Sequence, residues 1–249
     1  MPKEAIHEFI FCYNLKEDSK IENMNRTYKF SNEREKMNIE YRKLESKDYK
    51  TVALLIIETW KFDEFFYHSS AILNFGMMYL MQCLMNQTYN EVAVVDGKVA
   101  GIMIGANQRK KAFHIQHFLK AIWYSLLLLP IKKVYKKEPI LKEYQKNMKK
   151  MKKEIFQCTD AEINLFLLKQ EYRGCGIGNT LYSNIEKYFL QSSVASYYVH
   201  TDTGCNYNFY LKHGMHILAE RKTNISYADE NDITMYILGK EYLESGSDN

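Results

Sequence analysis

Hydrophobic and polar positions recur with two different periods along this chain, and the switches between them outline its elements. Period-two alternation begins at Asn38 to Leu44, with Ile39 and Tyr41 on one face, and predicts a strand. Ser46 reads as the N-cap of a helix from Asp48 to Lys61, and a second helix follows at about Ser70 to Asn86. Two apolar, β-rich runs, Glu91 to Val95 and Val99 to Ala106, flank Asp96-Gly97, a dipeptide suited to the positive φ angles of a tight hairpin. Arg109 to Gln157 then leaves the strand pattern and reads as two helices, with Pro130 and Pro139 bracketing the break. The first, about Lys111 to Leu129, is apolar on most sides. The second sets Leu141, Tyr144, Met148, Met151 and Ile155 at steps of three and four, with lysine on nearly every other face. Strand pattern returns at Glu162 to Leu168. A glycine-rich turn, a helix to about Leu190, a strand at Ala195 to Thr201 and a short helix through Tyr210 follow, and strands at Met215 to Lys222 and Ile233 to Leu238 complete the chain.

This order is that of an α/β protein, and 249 residues suit one large domain. Residues 1–36 are polar, without a sustained period, and read as an N-terminal extension; 37–243 form the domain, with 109–157 as an inserted helical hairpin, and 244–249 form a tail. A charged fraction of 26% with only three prolines excludes collagenous, proline-rich and wholly disordered classes. The longest stretch free of Asp, Glu, Lys and Arg, Phe65 to Asn90, is interrupted by Asn74, Gln82, Asn86 and Gln87, so it reads as a buried helix rather than a membrane span. The apolar run Phe9 to Tyr13 is too short, and too close to Glu4 and Glu8, for a signal peptide. The five cysteines, Cys12, Cys83, Cys158, Cys175 and Cys205, are odd in number and contain no Cys-x-x-Cys pair, which argues against a disulfide framework or a metal site and for a reducing, cytoplasmic setting.

The segment most suggestive of chemistry joins a strand to a helix: Leu168-Lys169-Gln170-Glu171-Tyr172-Arg173-Gly174-Cys175-Gly176-Ile177-Gly178-Asn179-Thr180. Glycines at alternate positions let backbone N–H groups crowd around an anion, and the helix that follows aims its N-terminal amides and partial positive charge at the same point. Arg173 adds a charged clamp for a pyrophosphate. The bland reading is a tight strand-to-helix connection. The spacing is not that of a dinucleotide-binding G-x-G-x-x-G, and no Gly-Lys-Ser/Thr ending makes it a P-loop.

Arg173, Gly176 and Gly178 fill the three fixed places of the acyl-CoA-binding signature of the GNAT superfamily of N-acetyltransferases, Arg/Gln-x-x-Gly-x-Gly/Ala, which this turn resembles. Phe209-Tyr210-Leu211-Lys212-His213-Gly214-Met215 is similar to the Phe-Tyr-x-x-x-Gly-Phe block of the same superfamily. The resemblance covers roughly Asn38 to Leu243 and implies a mixed, largely antiparallel sheet flanked by helices, with the 109–157 hairpin outside the usual pattern. It departs at Gln170, where many members have proline, at Cys175, where lysine is frequent, and at Thr203, where asparagine is common.

The resemblance implies acetyl transfer from acetyl-CoA directly to an amine. The coenzyme would lie against Arg173, Gly174, Cys175, Gly176, Ile177, Gly178, Asn179 and Thr180, with Thr203 or Asn206 bonding the pantetheine arm and the Leu168 backbone N–H polarising the thioester carbonyl. Tyr210 would protonate the departing sulfur; its other reading is a packed aromatic. An amine of pKa ~10.4 is almost wholly protonated at neutral pH, so a base is expected, and Glu162 is the candidate, with Asp160 beside it; a lone strand glutamate is otherwise a solvated rim residue. His200 reads as structural and Cys175 as a loop residue rather than a nucleophile. No metal is implied.

The corner Trp60-Lys61-Phe62-Asp63-Glu64-Phe65-Phe66-Tyr67-His68 sets aromatic rings around two carboxylates, which suits either a cationic small-molecule or peptide acceptor or a packed corner. Ten lysines from Lys132 to Lys153 stand against Glu138 and Glu143, a pattern that fits a solvated face with outward lysines or a contact with an anionic membrane, nucleic acid or acidic protein. The apolar helix beside them suits a roof over the acceptor side, a membrane contact or a homodimer element. Besides the enzyme, a non-catalytic acyl-CoA-binding module and a basic surface binder of membrane or nucleic acid remain as readings.

Overall fold

The computed structural model describes residues 37–129, 138–155, 159–225 and 232–242. The extension at 1–36, the tail at 244–249, Pro130, Cys12 and Cys158 lie outside them. The elements run β1 (Ile39–Arg42), α1 (Tyr49–Thr59), α2 (Ser69–Met85), β2 (Tyr89–Val95), β3 (Lys98–Asn107), α3 (Ile115–Leu128), α4 (Glu138–Ile155), β4 (Ala161–Leu168), α5 (Ile177–Gln191), β5 (Ser196–Asp202), α6 (Tyr207–Lys212), β6 (His216–Lys222) and β7 (Thr234–Glu241). Asp96 and Gly97, at φ 49° and 78°, turn β2 into β3 as their sequence requires. One local detail differs. Ser46 starts a 3₁₀ turn rather than capping α1, and Asp48, at the N-cap position of α1, makes no side-chain bond to that helix. Its carboxylate instead closes the 3₁₀ turn, accepting from the Glu45 backbone N–H at 2.9 Å, and accepts from both terminal nitrogens of Arg42 at 2.7 and 3.0 Å.

Seven strands form one sheet in the order β1-β2-β3-β4-β5-β7-β6, antiparallel throughout except for β4 beside β5. The sheet separates two cores. On one side α1, α2 and α4 pack over Val92, Ile102, Ile104, Leu165 and Leu167; on the other α5 packs over Ala93, Met103, Ile163 and Val199. The lysine-rich α4 belongs to the first core through Tyr144, Met148, Met151 and Ile155, all buried. Gly105 lets α5 approach the sheet, because a Cβ there would stand 2.5 Å from the buried Ile185 Cδ1 and 3.2 Å from the Phe189 ring.

Two irregularities shape the middle of the sheet. β4 and β5 pair only at Ala161↔Tyr197, Glu162↔Tyr198 and Ile163↔Val199, although β4 continues to Leu168 and β5 to Asp202, so the strands part beyond those rungs. Just there, β4 carries an extra residue: Ile104 pairs with Leu165 and Gly105 with Ile163, leaving Asn164 as a bulge. A bulge inverts the alternation that follows it. Ile163 and Phe166, three apart rather than two, consequently share the α5 side.

Candidate functional site

The gap between the diverging strands opens onto the turn that joins β4 to α5. Gly174 and Gly176 adopt φ 77° and 78°, a conformation open to glycine at no cost, and Gly176 is the N-cap of the 15-residue α5. A Cβ on Gly174 would meet nothing within 4 Å, so this backbone faces open space. A cavity of about 280 Å³ lies against it, lined by Arg173, Gly174, Gly176, Gly178 and Asn179 from the turn, Phe166 and Leu168 from β4, and Asn206, Phe209 and Tyr210 from the start of α6. Partial burial holds the Arg173 guanidinium below its ordinary pKa, which still leaves it charged, so a partly desolvated cation lines this cavity. Glycine backbone, the Arg173 side chain and the N-terminus of α5 thus border one cavity.

Tyr210 is buried, with its ring 6.4 Å from Phe166, 6.3 Å from Tyr182 and 5.6 Å from Phe209. It is packed on its sides and lines the cavity.

Glu162 lies elsewhere. It is one residue from the point where β4 and β5 part, does not line the cavity, and is buried on the α4 side, where its carboxylate accepts from Lys152 Nζ at 2.9 Å and from the Tyr198 hydroxyl at 2.8 Å. It is not a solvated rim residue. The other described lysines of α4 lie on its exposed or half-exposed faces, but Lys152 points inward. A second tie holds α4 in place, from the Tyr144 hydroxyl to the fully buried Asp202 carboxylate at 3.0 Å. Asp160, the neighbour of the candidate base, is used structurally, bridging Arg109 at 2.7 Å and the Ala195 backbone N–H at 2.8 Å.

His200 is wholly buried beside this pair, and desolvation, with the Lys152 charge adding to it, holds its imidazole well below the ordinary histidine pKa. Glu162 Oε1 is 3.8 Å from its Nε2, but that carboxylate is already satisfied by Lys152 and Tyr198. The ring is therefore neutral when folded. The unfolded chain takes up a proton near pH ~6.5 that the folded chain refuses, so His200 contributes stability above that pH and loses it as the pH falls further. The urea midpoint is expected to fall on acidification below about pH 6.5, and to fall less steeply in His200→Gln.

No protein-family model matches the chain and no curated protein matches it in sequence. Solved structures do. A GCN5-related N-acetyltransferase from Kribbella flavida superposes with a TM-score of 0.50 at 11% identity, over 82% of this chain and 98% of that one. A protein assigned as a phosphinothricin N-acetyltransferase does so with a TM-score of 0.50 at 15% identity, over 83% and 100%. The chain has the GNAT fold.

Within the GNAT fold, the remaining residues singled out in the sequence separate by position. Asn206 lines the cavity, whereas Thr203 is tied to β7, its Oγ1 accepting from the Thr234 N–H at 3.2 Å. Cys175 and Ile177 are buried beneath the turn, and the Thr180 hydroxyl donates back to the Gly176 carbonyl at 3.2 Å. None of these three side chains lines the cavity. In the aromatic corner, Trp60, Phe62, Phe65 and Phe66 pack with Phe75 and Tyr79 in the core, while Asp63, Tyr67 and His68 are exposed. Sequence reasoning missed Phe166 and Phe209 as cavity walls and Lys152 as a partner of Glu162. Lys152 left a signal: it stands four residues after Met148 and three before Ile155, inside the apolar stripe of α4.

Proposed function

We propose that the protein transfers an acetyl group from acetyl-CoA directly to an amine acceptor. The observation that carries this reading is the cavity at the β4–α5 turn, where glycine backbone, the N-terminus of α5 and a half-buried Arg173 meet beside Tyr210. The pyrophosphate would lie against residues 173–180, and the pantetheine arm would pass Asn206 into the gap between β4 and β5. The amine nitrogen attacks the thioester carbon, held polarised by the Leu168 backbone N–H, and the C–S bond breaks. Tyr210 gives its proton to the departing sulfur, which suits a phenol of ordinary pKa ~10. Glu162, on the opposite sheet face near the end of that gap, takes the proton the amine loses, and so the acceptor enters from the side of α1, α2 and α4. A cationic amine arriving there competes with Lys152 for the same carboxylate.

That ion pair also favours a second reading, a non-catalytic acyl-CoA-binding module whose base is permanently engaged. One experiment separates the two. Acetyl-CoA is expected to raise the melting temperature by mass action, and a panel of small amines and lysine- or N-terminal-amine peptides is expected to release coenzyme A as free thiol. Stabilisation without thiol release from any amine supports the module; no stabilisation removes both readings.

A further inference from the structure

Helix α3 has two apolar faces, and the fold uses only one. Ala121 and Leu128 are buried against the core, with Tyr124 half-buried between them. On the opposite side Ile115, Leu119, Trp123 and Leu126, at steps of four, four and three residues, are between 49% and 60% exposed. Phe113 before the helix and Leu127 and Leu129 at its end extend the stripe. Water-facing helix surface normally carries charge, and an apolar stripe of this length calls for a surface that covers it.

Charge indicates which surface. From Gly97 to Lys137 the sequence contains no aspartate or glutamate and nine lysines and arginines. Of these, Arg109 pairs with Asp160, Lys110 bonds Tyr188, and Lys132, Lys133, Lys136 and Lys137 lie outside the described residues, leaving Lys111 and Lys120 as the described cations flanking α3. Lys111 precedes the helix, and Lys120 is exposed on the flank of α3 that faces α1, its Nζ 5.4 Å from the centre of the Tyr49 ring. A second copy of this chain would have to bring its own run of cations against these, whereas an anionic bilayer neutralises them while its acyl boundary accepts the tryptophan, phenylalanine and leucines. At 14 residues α3 is shorter than the ~20 needed to cross a bilayer, and no described helix is long and apolar enough to do so, which leaves it lying along the surface.

We infer that the exposed face of α3 docks this protein onto an anionic membrane surface. The contact belongs to α3 rather than to the lysine-rich α4, whose apolar side is already spent in the core. It stands independently of the acetyl-transfer reading.

The chain carries its own probe. Of its two tryptophans, Trp60 is buried and Trp123 sits in the middle of the stripe, so emission changes on docking report Trp123. The full-length protein is titrated with phosphatidylcholine vesicles, with and without phosphatidylserine. A blue shift and co-sedimentation are expected with the anionic vesicles. Lys111 and Lys120 alone, at about fivefold each, make that binding ~25-fold tighter than to neutral vesicles, and high salt weakens it. The double substitution Leu119→Glu and Leu126→Glu alters only exposed side chains, so melting temperature is retained while vesicle affinity drops at least ~10-fold. Equal affinity for neutral and anionic vesicles, or undiminished binding by the double variant, overturns the inference. Self-association removed by the same pair, without vesicle binding, assigns the stripe to a second copy and overturns it as well.

Discussion

Gly176→Asp is expected to bind acetyl-CoA at least ~10²-fold more weakly than the native protein, and to show no rise in melting temperature at acetyl-CoA concentrations that stabilise the latter. Gly176 stands in the left-handed region at the N-cap of α5 and borders the cavity. Aspartate tolerates that backbone better than most residues, and its carboxylate is favourable at a helix N-terminus, so the variant is expected to fold. Those same properties make it a competitor for the coenzyme. The carboxylate accepts the N–H groups a phosphate would use and adds like-charge repulsion. Gly176→Ala separates the two effects, since it brings the backbone strain without the charge and is expected to bind with an intermediate affinity. An Asp variant with a native melting temperature and native affinity would move the phosphates away from this turn.

Tyr210→Phe is expected to lower turnover by ~10² or more while leaving acetyl-CoA affinity within about twofold. The substitution keeps the ring that packs on Phe166, Tyr182 and Phe209, and so conserves volume in a buried site. What is lost is one hydroxyl at the cavity wall. If that hydroxyl protonates the sulfur, its loss acts in the transition state alone, which lowers kcat without a matching change in binding. Native turnover in the variant would return Tyr210 to packing and weaken the enzyme reading.

Much of this molecule was legible from local chemistry. Asp96-Gly97 turns β2 into β3 because a two-residue hairpin needs two positive φ angles, a property of the dipeptide itself. The strand, glycines and helix around Gly176 were readable for the same reason, as was the four-and-three spacing that turns Tyr144, Met148, Met151 and Ile155 toward the core. Asn206 and Tyr210 followed from their place in a resemblance, and both line the cavity.

What tertiary structure alone decided concerns partners distant along the chain. The gap between β4 and β5 exists because the two strands share three rungs and then diverge, and neither strand's own residues state where the sharing ends. The extra residue at Asn164 is defined only against β3, which has no matching residue, yet it determines which later side chains of β4 turn toward α5. Lys152 looks in sequence like nine neighbouring lysines, and becomes the partner of Glu162 only once α4 is laid across the sheet beside β6. The apolar residues of α3 are the clearest case. Periodicity shows that a helix has two apolar sides, but which side the fold covers depends on what packs there, and here α2 and the core cover one and leave Trp123 facing outward. Turn angles and helical stripes are set by neighbours a few residues away, and so they are written in the sequence; pairing length, bulge and burial are set by surfaces that meet only when the chain has folded.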